Sequence, residues 1–390
     1  MINDIKNFYR RLTDTPKPLA AGVHHYQTPP NAANSYRIHL RVERDGTGIL
    51  IVNAATVLHL NATACEYAYH LIKETPLEKV ISDISHRYQI HPDQVKKDFQ
   101  GFKEKIDLLL STIDLDPVTI FNTTREEVNS ANLSAPLRLD CALTYHTSED
   151  YVAGSTPLDR VDRELIQPEW EKILTSAWQA GIPHVIFTGG EPTLRPDLPD
   201  LIQYAENLGM VSGLLSDGLR FSEPEFLEKV LQAGLDHVMV IYNQQNENAR
   251  ESLRDLLSAD LFVTVHLTIT DQNQASISNV IRDLAEKDVK SLSLSINSPD
   301  LKSVLAEARD LAAFYQLSLV WDLPVPYSNL NPVRLELEEF NENISGAGKA
   351  WMYVEPDGDV FLGQGFAHKL GNLLTDAWEQ IWTNAQDYSE

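Results

Sequence analysis

The chain has 390 residues, 43% of them hydrophobic, and a formal net charge of −24. That length fits two or three domains with filled cores, and a negative field of that size repels phosphate backbones, so nucleic acid is not an expected partner. No apolar run has membrane-spanning length and no basic-then-apolar leader opens the chain, so the expectation is a cytoplasmic protein without a membrane partner.

Residues 1–34 read as an N-terminal extension rich in Pro, Ala and polar residues, with little periodicity beyond a short helical stretch. Within it, His24-His25-Tyr26 invites a metal reading. Adjacent histidines point in different directions, however, and lack nearby partners, so an unstructured or surface pair is the better expectation. From Tyr36 the pattern turns to short strands, near 36–42, 49–52 and 57–60. Asn61 then caps a first helix, Pro76 opens a second and Pro92 a third. Cys65 sits on the apolar stripe of the first helix and reads as a small core residue. A small sheet followed by three helices is a winged-helix-like α+β domain over residues 35–113.

The string Leu58-His59-Leu60-Asn61-Ala62-Thr63-Ala64, with Val80-Ile81-Ser82-Asp83-Ile84 and Pro92-Asp93-Gln94-Val95, resembles the PqqD-like peptide-recognition element. The resemblance implies a leader peptide or partner protein bound through residues 35–113. The peptide would add as a strand beside the small sheet, with the third helix as the other wall. Lys96 and Lys103 on that helix are the expected contacts. A winged helix used only for intramolecular packing is the alternative.

Residues 114–135 read as a linker. Over residues 136–335 strand and helix patterns alternate, with Gly181, Gly209 and Gly234 where helix C-caps belong. Such βα units predict a partial (β/α)6–7 TIM-type barrel with ligand sites at the C-terminal ends of its strands. In residues 336–390, Pro356-Asp357-Gly358-Asp359 is a tight hairpin turn, and Trp378 and Trp382 read as core.

Two stretches carry the chemistry. A strand ending Phe187-Thr188 breaks into Gly189-Gly190-Glu191-Pro192 before a helix, and an earlier strand, Leu137 to Tyr145, runs into His146-Thr147-Ser148-Glu149-Asp150-Tyr151-Val152-Ala153-Gly154. The arrangement resembles the radical S-adenosylmethionine (SAM) superfamily. There a CxxxCxxC loop after the first barrel strand holds a [4Fe–4S] cluster, and the GGEP turn helps bind SAM. By that resemblance Gly189, Gly190, Glu191, Pro192, Ser216 and Asp217 are residual SAM-pocket residues, with Ser216-Asp217-Gly218 in place of a Thr-Asn-Gly turn. Tyr242, Asn243, His266 and Thr268 stand near later strand ends. Thr147, Tyr151 and Gly154 occupy the cysteine positions, so the cluster expected for the family has no ligands.

The C-terminal segment resembles the start of a SPASM or twitch extension, with Ser345 and Gly363 where its cysteines would stand. His146, Glu149, Asp150 and His368 are other potential donors, but their spacing closes no tetrahedral site, and no metal is expected. Cys141 lies inside a strand and reads as core.

Two functions follow as expectations. One is a degenerate radical SAM pseudoenzyme without cluster-dependent chemistry, a peptide- or protein-binding accessory or scaffold beside an active radical SAM enzyme in a peptide-modification system. The other is an enzyme of altered, cluster-independent chemistry that binds SAM or another small molecule at the GGEP end and uses Glu191, Asp217 or Asp140 as acid or base. Whether GGEP binds a small molecule or only closes the barrel top stays open.

Overall fold

Two units share the chain, Met1–Leu133 and Ser134–Glu390, in a computed structural model that describes residues 19–29, 36–53, 56–111, 133–148, 152–243, 246–335 and 346–389. The predicted N-terminal helical stretch, most of the 114–135 linker, and Glu149, Asp150, Tyr151 and Ser345 lie outside the described residues.

In the first unit, strands β1 (Gly22–Gln27), β2 (Arg37–Val42), β3 (Gly48–Val52) and β4 (Thr56–Leu60) form an antiparallel sheet in that order. Alternate residues Ile38, Leu40, Leu50, Leu58 and Leu60 face helices α1 (Ala62–Ile72), α2 (Leu77–Tyr88) and α3 (Pro92–Ser111), joining Cys65, Val80, Ile84, Val95, Phe99 and Ile106 in one core. Asn61 caps α1 by accepting from the Ala64 amide at 2.9 Å. The Cys65 thiol is packed where a Cβ on Gly48 would lie 2.4 Å from its Sγ, and burial pushes its pKa up to about 12. It is a core residue, as expected.

The aperiodic extension holds one surprise, strand β1. His24 sits edge-on to Tyr69 with centroids 4.8 Å apart, and His25 stacks on His39 at 6.3 Å. Neither reads as part of a metal site, and among the described residues no group of three or more His, Cys, Asp or Glu could hold a metal ion. An edge strand held by backbone pairing needs no hydrophobic period, which is why the pattern did not reveal it.

In the second unit parallel strands alternate with helices. They are β5 (Arg138–Thr144), α4 (Gln167–Ala180), β6 (His184–Gly189), α5 (Leu198–Leu208), β7 (Val211–Ser216), α6 (Pro224–Gln232), β8 (His237–Ile241), α7 (Glu247–Leu257), β9 (Phe262–Ile269), α8 (Ile277–Glu286), β10 (Ser291–Ile296), α9 (Lys302–Phe314) and β11 (Ser318–Val320). Gly181 and Gly209 end α4 and α5 in the left-handed region, at φ 98° and 91°.

The C-terminal strands β12 (Trp351–Val354), β13 (Asp359–Phe361) and β14 (Gly371–Asn372) precede helix α10 (Trp378–Ser389). Strand order is β11-β10-β9-β8-β7-β6-β5-β12-β13-β14, an open α/β barrel. β12 runs parallel to β5, Trp351 opposite Arg138, so the predicted hairpin continues the barrel sheet. Trp378 and Trp382 stack on each other at 6.0 Å, only partly buried against the core. No described helix is long and apolar enough to cross a membrane.

One strand face packs on the helices through Leu139, Cys141, Leu143, Val185, Phe187, Leu214, Val238 and Val265. The other face carries Ile186, Leu215 and Met239, which pack with Leu323. It also carries a polar wall on β9 and β10. There the His266 ring meets Ser293 Oγ and Ser295 Oγ at 3.0 Å and Thr268 Oγ1 at 3.2 Å.

His266 is fully buried, and desolvation lowers its pKa to about 4. Below the unfolded-state value near 6.5 the unfolded chain binds a proton that the native ring refuses. The His266 contribution to stability is therefore complete above pH 6.5 and lost as pH falls toward 4, by on the order of 3 kcal/mol. In chemical denaturation across that window, His266→Gln is expected to flatten the acid limb, and an unchanged slope would refute the assignment.

Candidate functional site at the strand C-termini

The site is built where β5, β6 and β7 end. Gly189 has φ +118°, and a Cβ there would stand 2.2 Å from the Thr144 carbonyl oxygen. A Cβ on Gly190 would stand 2.2 Å from the His146 carbonyl oxygen. Only glycine lets the two loops close on each other, through Gly190 N–H to Thr144 O at 2.8 Å and Glu191 N–H to His146 O at 2.7 Å.

Glu191 is 2% exposed. Its carboxylate accepts from the Thr193 amide at 2.8 Å, the Ser216 hydroxyl at 3.0 and 3.1 Å, and the Asp217 amide at 2.6 Å. It ties the end of β6 to the end of β7. Burial, then the negative charge of Asp217, raises its pKa to about 8. Asp217 in turn accepts from the Leu219 amide at 2.9 Å and from the Ser148 hydroxyl. Pro192 opens the short turn that follows and is buried.

Supporting residues came to light only in three dimensions. Arg195 donates to the carbonyls of Leu143 (3.1 Å) and Leu165 (2.9 Å) and pairs with Asp197, pinning the end of β5. Glu164 accepts from Thr144 Oγ1 at 2.6 Å and the Tyr145 amide at 3.2 Å, with His146 Nε2 at 4.0 Å. The Tyr327 amide donates to Gly189 O at 2.8 Å, so the segment after β11 crosses the mouth. Arg195, four residues after Glu191 and two before Asp197, was the one sequence signal available.

Thr147, Ser148, Gly190, Glu191, Asp217, Asn243 and Tyr327 are among the residues around a mouth cavity of about 80 Å³. Of the sequence-predicted residues the structure brings Thr147, Gly190, Glu191, Asp217 and Asn243 together here and leaves others out. Tyr242 packs in the helix-facing core. His266 and Thr268 are buried in the polar wall. Asp140 is salt-bridged to Arg138 at 2.7 Å and does not line the cavity. His368 stacks on Tyr388 at 4.7 Å.

The donor set does not fit an iron–sulfur cluster. Thr147 offers a hydroxyl, Gly154 no side chain, and Tyr151 a phenol. The unit's one sulfhydryl, Cys141, is fully buried on the helix-facing side of β5, and burial pushes its pKa well above the usual thiol value.

Residues 141–255 match the radical SAM superfamily. Over 128 residues the chain is 34% identical to a PqqA peptide cyclase of Gluconobacter oxydans (strain 621H), covering 32% of this chain and 36% of that protein. Over 159 residues it is 27% identical to the PqqA peptide cyclase of Bradyrhizobium diazoefficiens, covering 37% and 42%. The chain thus spans between a third and about two fifths of the length of these curated relatives.

Streptococcus suis SuiB bound to S-adenosylmethionine superposes with a TM-score of 0.56 at 17% identity, over 88% of this chain and 86% of that one. SuiB bound to its precursor peptide SuiA gives 0.56 at 16% identity, over 88% and 87%. The likeness shows the α/β radical SAM fold.

Proposed function

We propose that this chain is a peptide-binding accessory or scaffold of a peptide-modifying radical SAM system, without cluster-dependent radical chemistry of its own. The observation that carries the reading is the donor set of the loop after β5, where hydroxyl, phenol and hydrogen stand in place of thiolates around a preserved radical SAM-type barrel. The relatives support the peptide side, being named PqqA peptide cyclases, with SuiB solved bound to a precursor peptide. Residues 35–113 are the proposed peptide-binding domain, an active radical SAM enzyme the proposed partner, and residues 336–390 a SPASM-like extension adapted to the barrel edge.

Lys103 lines a groove of about 350 Å³ with Tyr26, Tyr36, Ile38, Phe99 and Ile106, whereas Lys96 is exposed elsewhere on α3. A displayed library of random linear peptides panned against the full chain is expected to enrich binders that Lys103→Glu weakens at least fivefold. Enrichment indifferent to that substitution, or none, counts against the reading. In parallel, anaerobic iron–sulfide reconstitution is expected to give no visible charge-transfer band and no SAM cleavage. A stable cluster with SAM cleavage overturns the proposal.

The second reading, an enzyme of altered chemistry at the GGEP end, is favoured by the polar groups Ser148, Asp217 and Asn243 around the mouth cavity. Against it, about 80 Å³ is far below the roughly 300–1,000 Å³ typical of small-molecule sites. Iron-independent SAM binding by calorimetry would revive it.

A further inference from the structure

The edge of the small sheet beside α3 is already covered by the chain itself. β1 pairs antiparallel along the whole of β2, from Gly22 opposite Val42 to Gln27 opposite Arg37. It is one of the two edge strands of this sheet, and all six of its residues are exposed or half-buried, whereas Ile38 to Val42 of β2 are buried. Its grip on the helix layer comes from alternate aromatic rings, as the strand pleat requires. His24 lies opposite Leu40 and edge-on to Tyr69, and Tyr26 lies opposite Ile38 and 5.9 Å from the Tyr36 ring. Past Tyr26 the strand ends at Gln27, and the next residue, Thr28, accepts from the Tyr36 amide through its hydroxyl at 3.0 Å. There the groove with Ile38, Leu71, Phe99, Ile106 and Leu110 opens between sheet and α3.

Resting on the peptide-binding reading above, we propose that β1 is a self-strand occupying the peptide-addition edge of β2. We further propose that the peptide taken up there is extended, antiparallel to β2, and carries aromatic side chains two residues apart. Strand addition draws its affinity from main-chain hydrogen bonds and its specificity from pockets for alternate side chains. The side-chain contacts offered here are the Tyr69 ring and Tyr36 at the end of the groove, and both are taken by rings of β1. Because β1 is tethered through Thr28 and Tyr36, it competes as an intramolecular ligand at an effective concentration on the order of millimolar. A free peptide must therefore outbid it, so the covered edge discriminates against weak ligands.

The test uses the full chain and a fluorescent synthetic peptide of residues 19–29. The double substitution His24→Asp and Tyr26→Asp removes both ring contacts of the tethered strand. The labelled peptide is expected to bind that variant at least tenfold more tightly than the unsubstituted chain. A probe with His24→Ala and Tyr26→Ala is expected to lose at least tenfold. Equal affinity for the two chains overturns the proposal, even where library panning still enriches peptides and the broader reading survives. Amide hydrogen exchange on the unsubstituted chain gives a second arm that does not depend on how the variant folds. Exchange at least a hundredfold faster in β1 than across the β2–β3 pairing supports a releasable strand, and equal protection overturns it.

Discussion

Glu191→Ala is expected to destabilise the protein by about 3–5 kcal/mol, read by chemical denaturation with intrinsic fluorescence. The substitution leaves the Thr193 amide, the Asp217 amide and the Ser216 hydroxyl without the carboxylate they converge on. An orphaned buried donor costs about 1–3 kcal/mol, and here three donors lose their common acceptor at once. Were Glu191 instead a ligand-facing group, as the family resemblance implies, the same change would cost under about 1 kcal/mol and abolish small-molecule binding. The two roles thus give opposite results in one experiment.

The pH response of this site follows from the same burial. Glu191 has a folded-state pKa raised to about 8, so between about 4.5 and 8 the native state holds a proton that the unfolded chain releases. Its stabilising contribution is present below 4.5 and is lost as pH rises through 8. Asp217 is the second cause of the shift after burial. Asp217→Asn is therefore expected to make that loss shallower, and a slope unchanged across pH 5 to 8 would contradict the assignment.

Gly189→Ala is expected to cost at least about 3 kcal/mol in the same assay. Two penalties combine. At φ +118° an L side chain is strained by roughly 1–3 kcal/mol, and the new Cβ meets a backbone oxygen of β5, which cannot swing aside as a side-chain tip does. Gly154→Ala is the matched control. It also has positive φ, at +82°, but its Cβ would meet nothing within 4 Å, so about 1 kcal/mol is expected. Equal losses at the two positions would mean that close approach of the loops is not what selects Gly189.

The elements of both units could be read from the chain because their signals are local. Proline at Pro76 and Pro92, glycine at Gly181 and Gly209, and alternate apolar residues in strands each act over a few positions. The turn at Pro356-Asp357-Gly358-Asp359 was equally legible, with Gly358 at φ +89°. The parallel strand set followed from the βα alternation, and the missing thiolates needed only counting. What escaped were relations between distant segments. β1 belongs to the sheet through backbone pairing, and β12 joins the barrel beside β5, about 200 residues earlier. Neither has a side-chain period that names its neighbour.

The site divides along the same line. Sequence by itself determined that Gly189, Gly190, Glu191 and Asp217 stand at strand ends, and that Thr147, Tyr151 and Gly154 offer no cluster ligands. The first depends on residue type and spacing, the second on what the family resemblance implies for those positions. Only the tertiary structure decided which way each group faces. It turned Glu191 inward onto three donors, put Tyr242 into the helix-facing core and locked Asp140 to Arg138. A strand sends successive side chains to opposite faces, and only the packed layers show which face is core and which is mouth.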